Sequence, residues 1–192
     1  MKKLKLLFLI TAIACMAVPA TAQVSFAVKG GVNLTNMYGK YSDSFSPKFG
    51  FNAGITGEYG FANNFCLQSG LMVHSKGDKI KFDSKCDTYN FIYLQLPIHA
   101  GYKVDVAPTT KIVFHAGPYI AYGIDGKWKK DGELQFNLFK DLHYRKFDVG
   151  AGIGVGAEYG NFLLDLGVDM GFLIVDETFK HISSYLSLGY RF

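Results

Sequence analysis

Net charge, cysteine and helical periodicity are all scarce in this sequence. The +4 charge of the 192-residue chain comes mostly from Lys2, Lys3 and Lys5, and beyond them 17 basic residues face 16 acidic ones. Such a balance gives no support for a nucleic-acid-binding protein. We find no nucleophile, base and carboxylate pattern typical of a catalytic site, so we assign no catalytic, cofactor-binding or metal-ligating residues.

Of the three cysteines, only Cys66 and Cys86 lie beyond the N-terminal apolar segment. Two cysteines in an exported protein suggest a disulfide. However, the strand predicted below over 65–76 begins next to Cys66 and separates the two cysteines by roughly 30 Å, far beyond the ~7 Å between Cα atoms that a disulfide allows. The spacing therefore predicts free thiols.

The N-terminal 22 residues have the pattern of a secretory signal peptide. Lysines precede an apolar run over 6–18, and Ala20-Thr21-Ala22 supplies the small residues of a cleavage site before Gln23. The run is too short to cross ~30 Å of hydrocarbon. Acylation of Cys15, as in a lipoprotein, would cut the apolar core short. We therefore predict a signal peptide over 1–22 and a mature domain over 23–192.

Beyond residue 23, apolar and polar or small residues alternate with the period of β-strands. The clearest example is residues 147–159, which Gly160-Asn161 joins as a tight turn to a second alternating stretch. The same pattern predicts eight strands, over 24–35, 48–59, 65–76, 89–103, 111–125, 145–159, 162–173 and 183–192.

The predicted connections alternate in length. The long polar ones are 36–47, 77–88, 126–144 and 174–182, and the short ones are 60–64, 104–110 and 160–161. Short turns at one end and long loops at the other are typical of bacterial outer-membrane barrels. The predicted fold is therefore all-β, an eight-stranded antiparallel up-and-down transmembrane β-barrel with periplasmic termini and external loops.

The distribution of glycine distinguishes a membrane barrel from a soluble calyx, whose apolar face points inward. Alternate positions along a strand share one face, which we call a parity. Glycines recur on the parity that also carries the charged residues, where they make room for large polar side chains inside a narrow barrel. The other parity is bulky and apolar, as a lipid-facing surface requires. Its short-turn end carries the aromatic girdle expected at a membrane interface, namely Tyr59, Phe65, Tyr102, Tyr159, Phe162, Tyr190 and Phe192.

The C-terminal segment gives independent support for this class. Leu186, Leu188, Tyr190 and Phe192 alternate and end on an aromatic residue. This ending resembles the signal by which the barrel-assembly machinery recognises outer-membrane proteins. We therefore predict export through a cleaved signal peptide, location in the cell outer membrane, and contact of the C-terminal strand with that machinery.

Several segments together resemble the PorT-like outer-membrane β-barrel domain family. They are Val28-Lys29-Gly30-Gly31-Val32-Asn33, the stretch 69–77, Tyr93-Leu94-Gln95-Leu96-Pro97-Ile98 with Gly101-Tyr102-Lys103, Gly117-Pro118-Tyr119 and Asp148-Val149-Gly150. The resemblance covers nearly all of the mature chain and implies the barrel fold and its location. The family name comes from a member linked to protein secretion, but the motifs are structural and carry over no functional residues.

The charged parity places several ionisable side chains in the predicted lumen. Near the short-turn end these are Lys29, Glu58, Lys103, Lys111, Glu158, Asp165 and Arg191. We expect Lys29 beside Glu58, Lys111 beside Glu158 and Arg191 beside Asp165. The simplest interpretation is an ion-paired plug that satisfies buried charge. An ion pathway is the alternative, although eight strands enclose a lumen just filled by side chains.

Two histidines are predicted to meet inside the barrel. If Lys103 opposes Lys111, antiparallel pairing places His99 opposite His115, and His74 lies on the adjacent strand with the same parity. Such histidines are either hydrogen-bonded lumenal groups, which we favour, or a pair that titrates together or shares a metal.

The function expected from the sequence is a structural or interaction role in the cell envelope, with a possible link to protein secretion. The alternative is a lipid-modifying enzyme resembling lipid A deacylase, but the run from Phe114 to Gly117 has a histidine without the required serine. The basic, aromatic stretch 126–146, with Trp128 and Phe136, could contact lipopolysaccharide phosphates or another protein. Expected partners are outer-membrane lipids, lipopolysaccharide, the assembly machinery and a possible envelope or secretion protein, with the barrel itself a monomer.

Overall fold

A computed structural model describes residues 23–39, 45–82, 85–130, 133–139, 141, 145–173 and 179–192. The predicted signal peptide, 1–22, lies outside the described residues. The strands are β1 (Gln23–Gly39), β2 (Phe45–Gly60), β3 (Phe65–Phe82), β4 (Lys85–Ala107), β5 (Thr110–Lys130), β6 (Glu133–Asn137), β7 (Phe147–Tyr159), β8 (Phe162–Gly171) and β9 (Phe179–Arg191). A short 3-10 turn, Ala62–Asn64, joins β2 to β3.

Eight of these strands form a closed antiparallel barrel. The order is β4-β3-β2-β1-β9-β8-β7-β5, and pairing of β4 with β5 closes the ring. The first and last strands meet along their length, from Ala27 opposite Arg191 to Gly39 opposite Phe179. The predicted eight-stranded up-and-down fold is confirmed, as is the tight turn at Gly160-Asn161.

None of the described residues lies in a helix long and apolar enough to cross a membrane.

Two predicted long loops, 77–88 and 126–144, are largely strand. β3 and β4 pair as far as Phe82 opposite Lys85, and β5 continues to Lys130. The extra strand β6 then pairs with the end of β5. We call β6 together with the ends of β3, β4 and β5, over residues 77–82, 85–90 and 127–130, the projecting sheet. The sequence did not predict these strand extensions, because their residues are charged. A strand outside the lipid is held by backbone pairing and needs no apolar face.

The barrel has an apolar exterior and a polar interior, the reverse of a soluble protein. Ile153 and Leu188 are 66% and 67% exposed, whereas Asn33 and Asp169 are 1% and 2% exposed. Soluble monomers rarely expose apolar patches larger than a few hundred Å², so this belt is the lipid-facing surface. The predicted aromatic girdle points outward, with Tyr59 half-buried and the other members exposed.

Lumenal glycines create the space that the interior side chains occupy. A Cβ at Gly154 would lie 2.5 Å from His115 Cε1, and one at Gly150 would lie 2.6 Å from the Tyr119 ring. Both distances are shorter than a Cβ can tolerate, so glycine is required at these two positions. The prediction that the glycine-bearing parity faces the lumen is confirmed there.

Cys66 is free and buried. It pairs in register with Gly101, whereas Cys86 pairs with Lys81 near the far end of β3. Fifteen residues of β3 separate the two levels, which corresponds to roughly 50 Å. The predicted separation of the two cysteines is therefore confirmed.

Candidate functional site in the barrel lumen

Four charged side chains close the short-turn end of the lumen, and we call them the rim ring. Glu158 accepts hydrogen bonds from Lys103 Nζ at 2.9 Å and from Arg191 Nη1 at 2.9 Å and Nη2 at 2.5 Å. Lys103 also binds Glu58, so two cations alternate with two carboxylates. The rim ring satisfies charges that would otherwise be costly in a narrow lumen.

Two of the three predicted pairs have the wrong partners, and in the third the residues are adjacent, as predicted, but form no ion pair. Lys29 binds Asp165 at 2.7 Å, and Arg191 binds Glu158. Lys111 is the register partner of Glu158, but its ammonium binds Asp105 at 2.8 Å, where both side chains are about half exposed. Long side chains reach across the lumen and past neighbouring strands, so backbone adjacency alone does not select their partners.

His99 and His115 meet in the middle of the lumen, as predicted, but through a different register. Gly101, not His99, pairs with His115, so the two histidines are diagonal neighbours. Their rings stack with centroids 5.2 Å apart and Nδ1 atoms 3.0 Å apart. His115 Nε2 lies 2.9 Å from Asp165 Oδ1. The pair is thus part of a hydrogen-bonded chain that ends at Lys29.

His74 is lumenal, as its parity predicts, but it contacts a different group. Its Nδ1 lies 3.4 Å from Asn33 Nδ2, and Asn33 accepts a hydrogen bond from Asn52 at 2.7 Å. Within the described ranges, no group of three or more His, Cys, Asp or Glu side chains could hold a metal ion.

A second polar chain lies above the histidines, toward the long-loop end. Lys76 Nζ donates to Gln95 Oε1 at 2.9 Å, and Gln95 Nε2 donates to Asp169 Oδ2 at 2.7 Å. The Lys76 ammonium also lies 4.7 Å from the centre of the Tyr119 ring, within cation–π range. Tyr119 in turn donates its hydroxyl proton to Asp148 at 3.1 Å. A fully buried lysine is therefore held by an amide and an aromatic face.

An aromatic plug closes the long-loop end. Leu138 and Phe139, which follow β6, pack inside the barrel against Phe91, Tyr93, Tyr119 and Ala121. The Phe139 ring lies 5.7 Å from Phe91 and 6.1 Å from Tyr93, centre to centre. It occupies space that a side chain at Gly123 would fill. We call this six-residue cluster the plug.

The plug was missed because its residues lie in a segment predicted to be a solvated loop. One signal was present in the sequence, because Gly123 lies on the inward parity of β5 where Phe139 inserts. Gly126, which faces Leu138 and Phe139, has the opposite parity, since a register shift follows Gly123. The aromatic residues of that segment also stack across the projecting sheet. Trp128 lies between Tyr89, at 6.1 Å, and Phe136, at 5.7 Å.

Between the rim ring and the plug, the lumen contains a cavity of about 90 Å³. Lys29, His99, His115, Asp165 and Asp169 are among its lining residues. Outside the rim ring, an open vestibule of about 310 Å³ faces the short-turn side. The cavity can hold small polar species, but the described side chains leave no wide passage between the two ends.

Substituting Glu158 by Gln is expected to lower the unfolding free energy by about 1.5 kcal/mol, because hydrogen bonds to charged groups contribute more than neutral ones. Equilibrium unfolding in detergent micelles measures the change. Asp105→Asn is the matched control, since its pair with Lys111 is largely exposed and should contribute little. Equal losses for both variants would contradict a structural role for the rim ring.

Removal of the Phe139 ring is expected to loosen the plug without unfolding the barrel. In a background lacking Cys66 and Cys86, a cysteine replacing the buried Ala121 should react several-fold faster with maleimide after Phe139→Ala. Phe136→Ala is the control because Phe136 is exposed and lies outside the plug. An unchanged labelling rate would show that Phe139 does not seal the lumen.

The lipid-modifying alternative requires a histidine that faces lipid beside a serine. His115 is instead 5% exposed and faces the lumen, with His99 and Asp165 as the hydrogen-bond partners of its ring. The lumenal Ser187 donates to Asn52 and Ser183 contacts Thr35. The described histidine contacts therefore do not assemble the nucleophile–base pair of a hydrolase.

Comparison with known proteins agrees with this architecture. A family described as outer membrane protein beta-barrel domain matches residues 19–175. The crystal structure of Neisserial surface protein A is similar with a TM-score of 0.52 and 19% identity, over 88% of this chain and 97% of that one. A major outer membrane protein from Thermus thermophilus also reaches a TM-score of 0.52, with 15% identity over 88% of this chain and 99% of that one. At these identities the likeness concerns fold alone. No curated protein matched the sequence.

Proposed function

Because the chain belongs to the outer membrane protein β-barrel domain family and is an outer-membrane barrel, we propose that it acts in the cell envelope as a structural or interaction protein. It is neither an enzyme nor an open pore in this proposal. The closed lumen supports this function, since the rim ring and the plug obstruct its two ends.

The projecting sheet is the observation that carries the proposal. β4 and β5 have 23 and 21 residues, whereas β7 and β8 have 13 and 10. A transmembrane strand needs only about 9–11 residues. The excess raises one side of the barrel beyond the lipid as a hydrogen-bonded sheet. Such a surface is suited to contact another envelope component.

The chemistry of the projecting sheet favours anionic or aromatic partners. Lys129 and Lys130 are exposed at the end of β5, and Phe136 is 47% exposed on β6. Lipopolysaccharide phosphates and an envelope protein are both compatible with that surface. The remaining proposed partners are membrane lipids around the apolar belt and the assembly machinery at β9, for a barrel that is itself monomeric.

The resemblance to the PorT-like family suggests a setting for the proposed interaction. It makes a protein-secretion assembly a candidate context for the projecting sheet. No residue of this chain is assigned to that activity. The PorT-like assignment and the secretion role are therefore both proposals that depend on finding a partner.

Orientation can be tested with single cysteines in a background lacking Cys66 and Cys86. We expect impermeant maleimide to label Glu133→Cys on the projecting sheet in intact cells, but not Ala107→Cys at the short-turn end. The sequence positions Asp43 and Asp131, also expected to be external, lie outside the described residues. Labelling of Ala107→Cys in intact cells, with Glu133→Cys protected, would reverse the orientation.

Photo-cross-linking in intact cells tests the interaction role. A benzophenone amino acid at Phe136 should form adducts with a discrete envelope partner or with lipopolysaccharide, which mass spectrometry distinguishes. The same group at Leu188, on the lipid face, is the matched control and should capture membrane lipids and the components found at any lipid-facing site. Identical adducts at both positions, together with hydrolysis of lipid substrates by purified protein, would replace the proposal with the enzymatic alternative.

A further inference from the structure

Two buried polar atoms, His99 Nε2 and Asp169 Oδ1, point at the same place in the lumen. Gly117 lies beside His99 and pairs with Gly152, which pairs with Asp169. His99 and Asp169 thus face each other across two residues without side chains. A Cβ at Gly152 would lie 3.1 Å from His99 Nε2 and would also contact Asp169 Oδ1. Within the described part of the chain, neither atom has a hydrogen-bond partner.

Both side chains are more than nine-tenths buried, His99 with 6% exposure and Asp169 with 2%. Leaving a polar atom unpaired at such a depth is costly. The 90 Å³ cavity is lined by both residues. The two side chains therefore line a buried polar site with room for a small ion or molecule.

The hydrogen-bond chain below the site fixes which atoms are acceptors. Asp165 is held by Lys29, so it is an ionised acceptor and His115 Nε2 is the donor. In neutral His115 the Nδ1 atom is then an acceptor, and His99 Nδ1 must donate to it across 3.0 Å. Neutral His99 consequently presents a lone pair at Nε2. Lone pairs of His99 and Asp169 converge, and both need a hydrogen-bond donor or a cation.

The charge balance of the lumen leads to the same requirement. Around the plug and above the rim ring, the described charged side chains are Lys29, Lys48, Lys76, Asp78, Asp148, Asp165 and Asp169. Lys29 neutralises Asp165 and Lys48 is the cation near Asp78, which leaves Lys76 alone near Asp148 and Asp169. The other titratable groups that face Asp169 are His115 and Tyr119 from β5 and Tyr185 from β9. The set is one positive charge short.

We propose that the lumen binds one small cation, a proton or a metal ion, where His99 Nε2 and Asp169 Oδ1 converge. As a proton it resides on Asp169, whose hydroxyl donates to His99 Nε2. As a metal ion it takes one imidazole nitrogen and one carboxylate oxygen from the protein, which are donor types that zinc accepts, and water completes the coordination because the described residues offer no third protein ligand. In either form it joins the chain from Lys29 to His99 with the chain from Asp169 to Lys76. The lumen then contains one continuous polar relay.

Infrared spectroscopy of the purified full-length protein tests the proposal and distinguishes the two cations. At neutral pH with chelator, a bound proton gives the carbonyl absorption of a protonated carboxyl group, which Asp169→Asn abolishes. A bound metal instead gives about one equivalent by elemental analysis without chelator, which the same variant loses. Asp148→Asn is the matched control, since Asp148 is equally buried near Lys76, and it should leave either signal intact.

Two outcomes would overturn the proposal. One is wild-type protein with neither a protonated carboxyl group nor a metal equivalent, a result that requires no variant to fold. The other is a signal that survives Asp169→Asn but disappears in Asp148→Asn, which would place the cation elsewhere. Asp169→Asn is expected to fold, because its amide can donate to His99 Nε2 in place of the cation.

Discussion

Arginine in place of Val155 is expected to lower the unfolding free energy of the bilayer-inserted barrel by about 2–4 kcal/mol. Val155 lies on the outward parity of β7 and is 38% exposed to the surroundings of the barrel. If those surroundings are hydrocarbon, the guanidinium loses most of its hydration and has no partner. In water the same substitution at an exposed position would change stability by no more than about 0.5 kcal/mol. Denaturant titration of protein in lipid vesicles measures the difference.

Tyr159→Arg is the matched control for Val155→Arg. Tyr159 has the same parity on the same strand, but it lies in the interfacial girdle at the short-turn end. The cost of arginine falls to about 0–1 kcal/mol near the interface. A gradient from Val155 to Tyr159 is therefore expected. Equal, small effects at both positions would show that this face does not contact hydrocarbon.

Leucine in place of Gly154 is expected to prevent formation of the native barrel. A Cβ there would lie 2.5 Å from His115 Cε1 and 2.8 Å from the Leu166 carbonyl oxygen. Displacing the His115 ring would break its contacts with His99 and Asp165, and the Leu166 backbone belongs to the paired strand. Overpacking commonly costs about 1–3 kcal/mol, and here the loss of buried hydrogen bonds adds to it. Heat-modifiable electrophoretic mobility reports the folded fraction.

Ile153→Leu serves as the control for Gly154→Leu, because Ile153 is the preceding residue and points outward with 66% exposure. The control should fold as the wild type does, since leucine conserves the volume and apolarity of the side chain. The comparison of the two variants tests whether residue 154 faces the lumen and residue 153 faces outward. If Gly154→Leu folded normally, the glycine-bearing face would not be the crowded interior that the structure describes.

The sequence was sufficient for the barrel and for the direction of its faces. Period-2 alternation specifies a strand and its two faces, and a one-residue error would invert every side chain. The hairpin at Gly160-Asn161 therefore established a parity that the neighbouring strands had to share. Outward Ile153 and inward Gly154 follow from that alternation without knowledge of the partners.

Pairing partners inside the lumen could not be obtained in the same way. The assumed register of β4 against β5 was wrong by two residues, which preserves parity but changes every neighbour. His99 and His115 still met because stacked rings reach diagonal positions. Lys29 binds Asp165 on β8, a strand that is not adjacent to β1. Contacts across a closed lumen depend on curvature and side-chain reach, which sequence periodicity does not encode.

The plug illustrates a different limit. Segments outside the membrane need no apolar face. The polar ends of β3, β4 and β5 beyond the lipid were therefore predicted to be loops. Leu138 and Phe139 are two consecutive apolar residues in such a segment, and a consecutive pair shows no alternation. Their burial depends on β6 turning back over the mouth of the barrel, where Gly126 leaves space.

Spin labels along the outward face of β8 test the central claim, that this apolar surface contacts lipid, most directly. Single labels replace Phe162, Leu164, Leu166, Val168 and Met170 in protein reconstituted into lipid vesicles. Paramagnetic relaxation by oxygen should be strongest near Leu166, and relaxation by a water-soluble nickel complex should be weakest there, with the opposite gradient toward the ends. If the nickel complex reached Leu166 as readily as a label at Gln135 on the projecting sheet, the face would be in water, and the account of a transmembrane barrel would be contradicted.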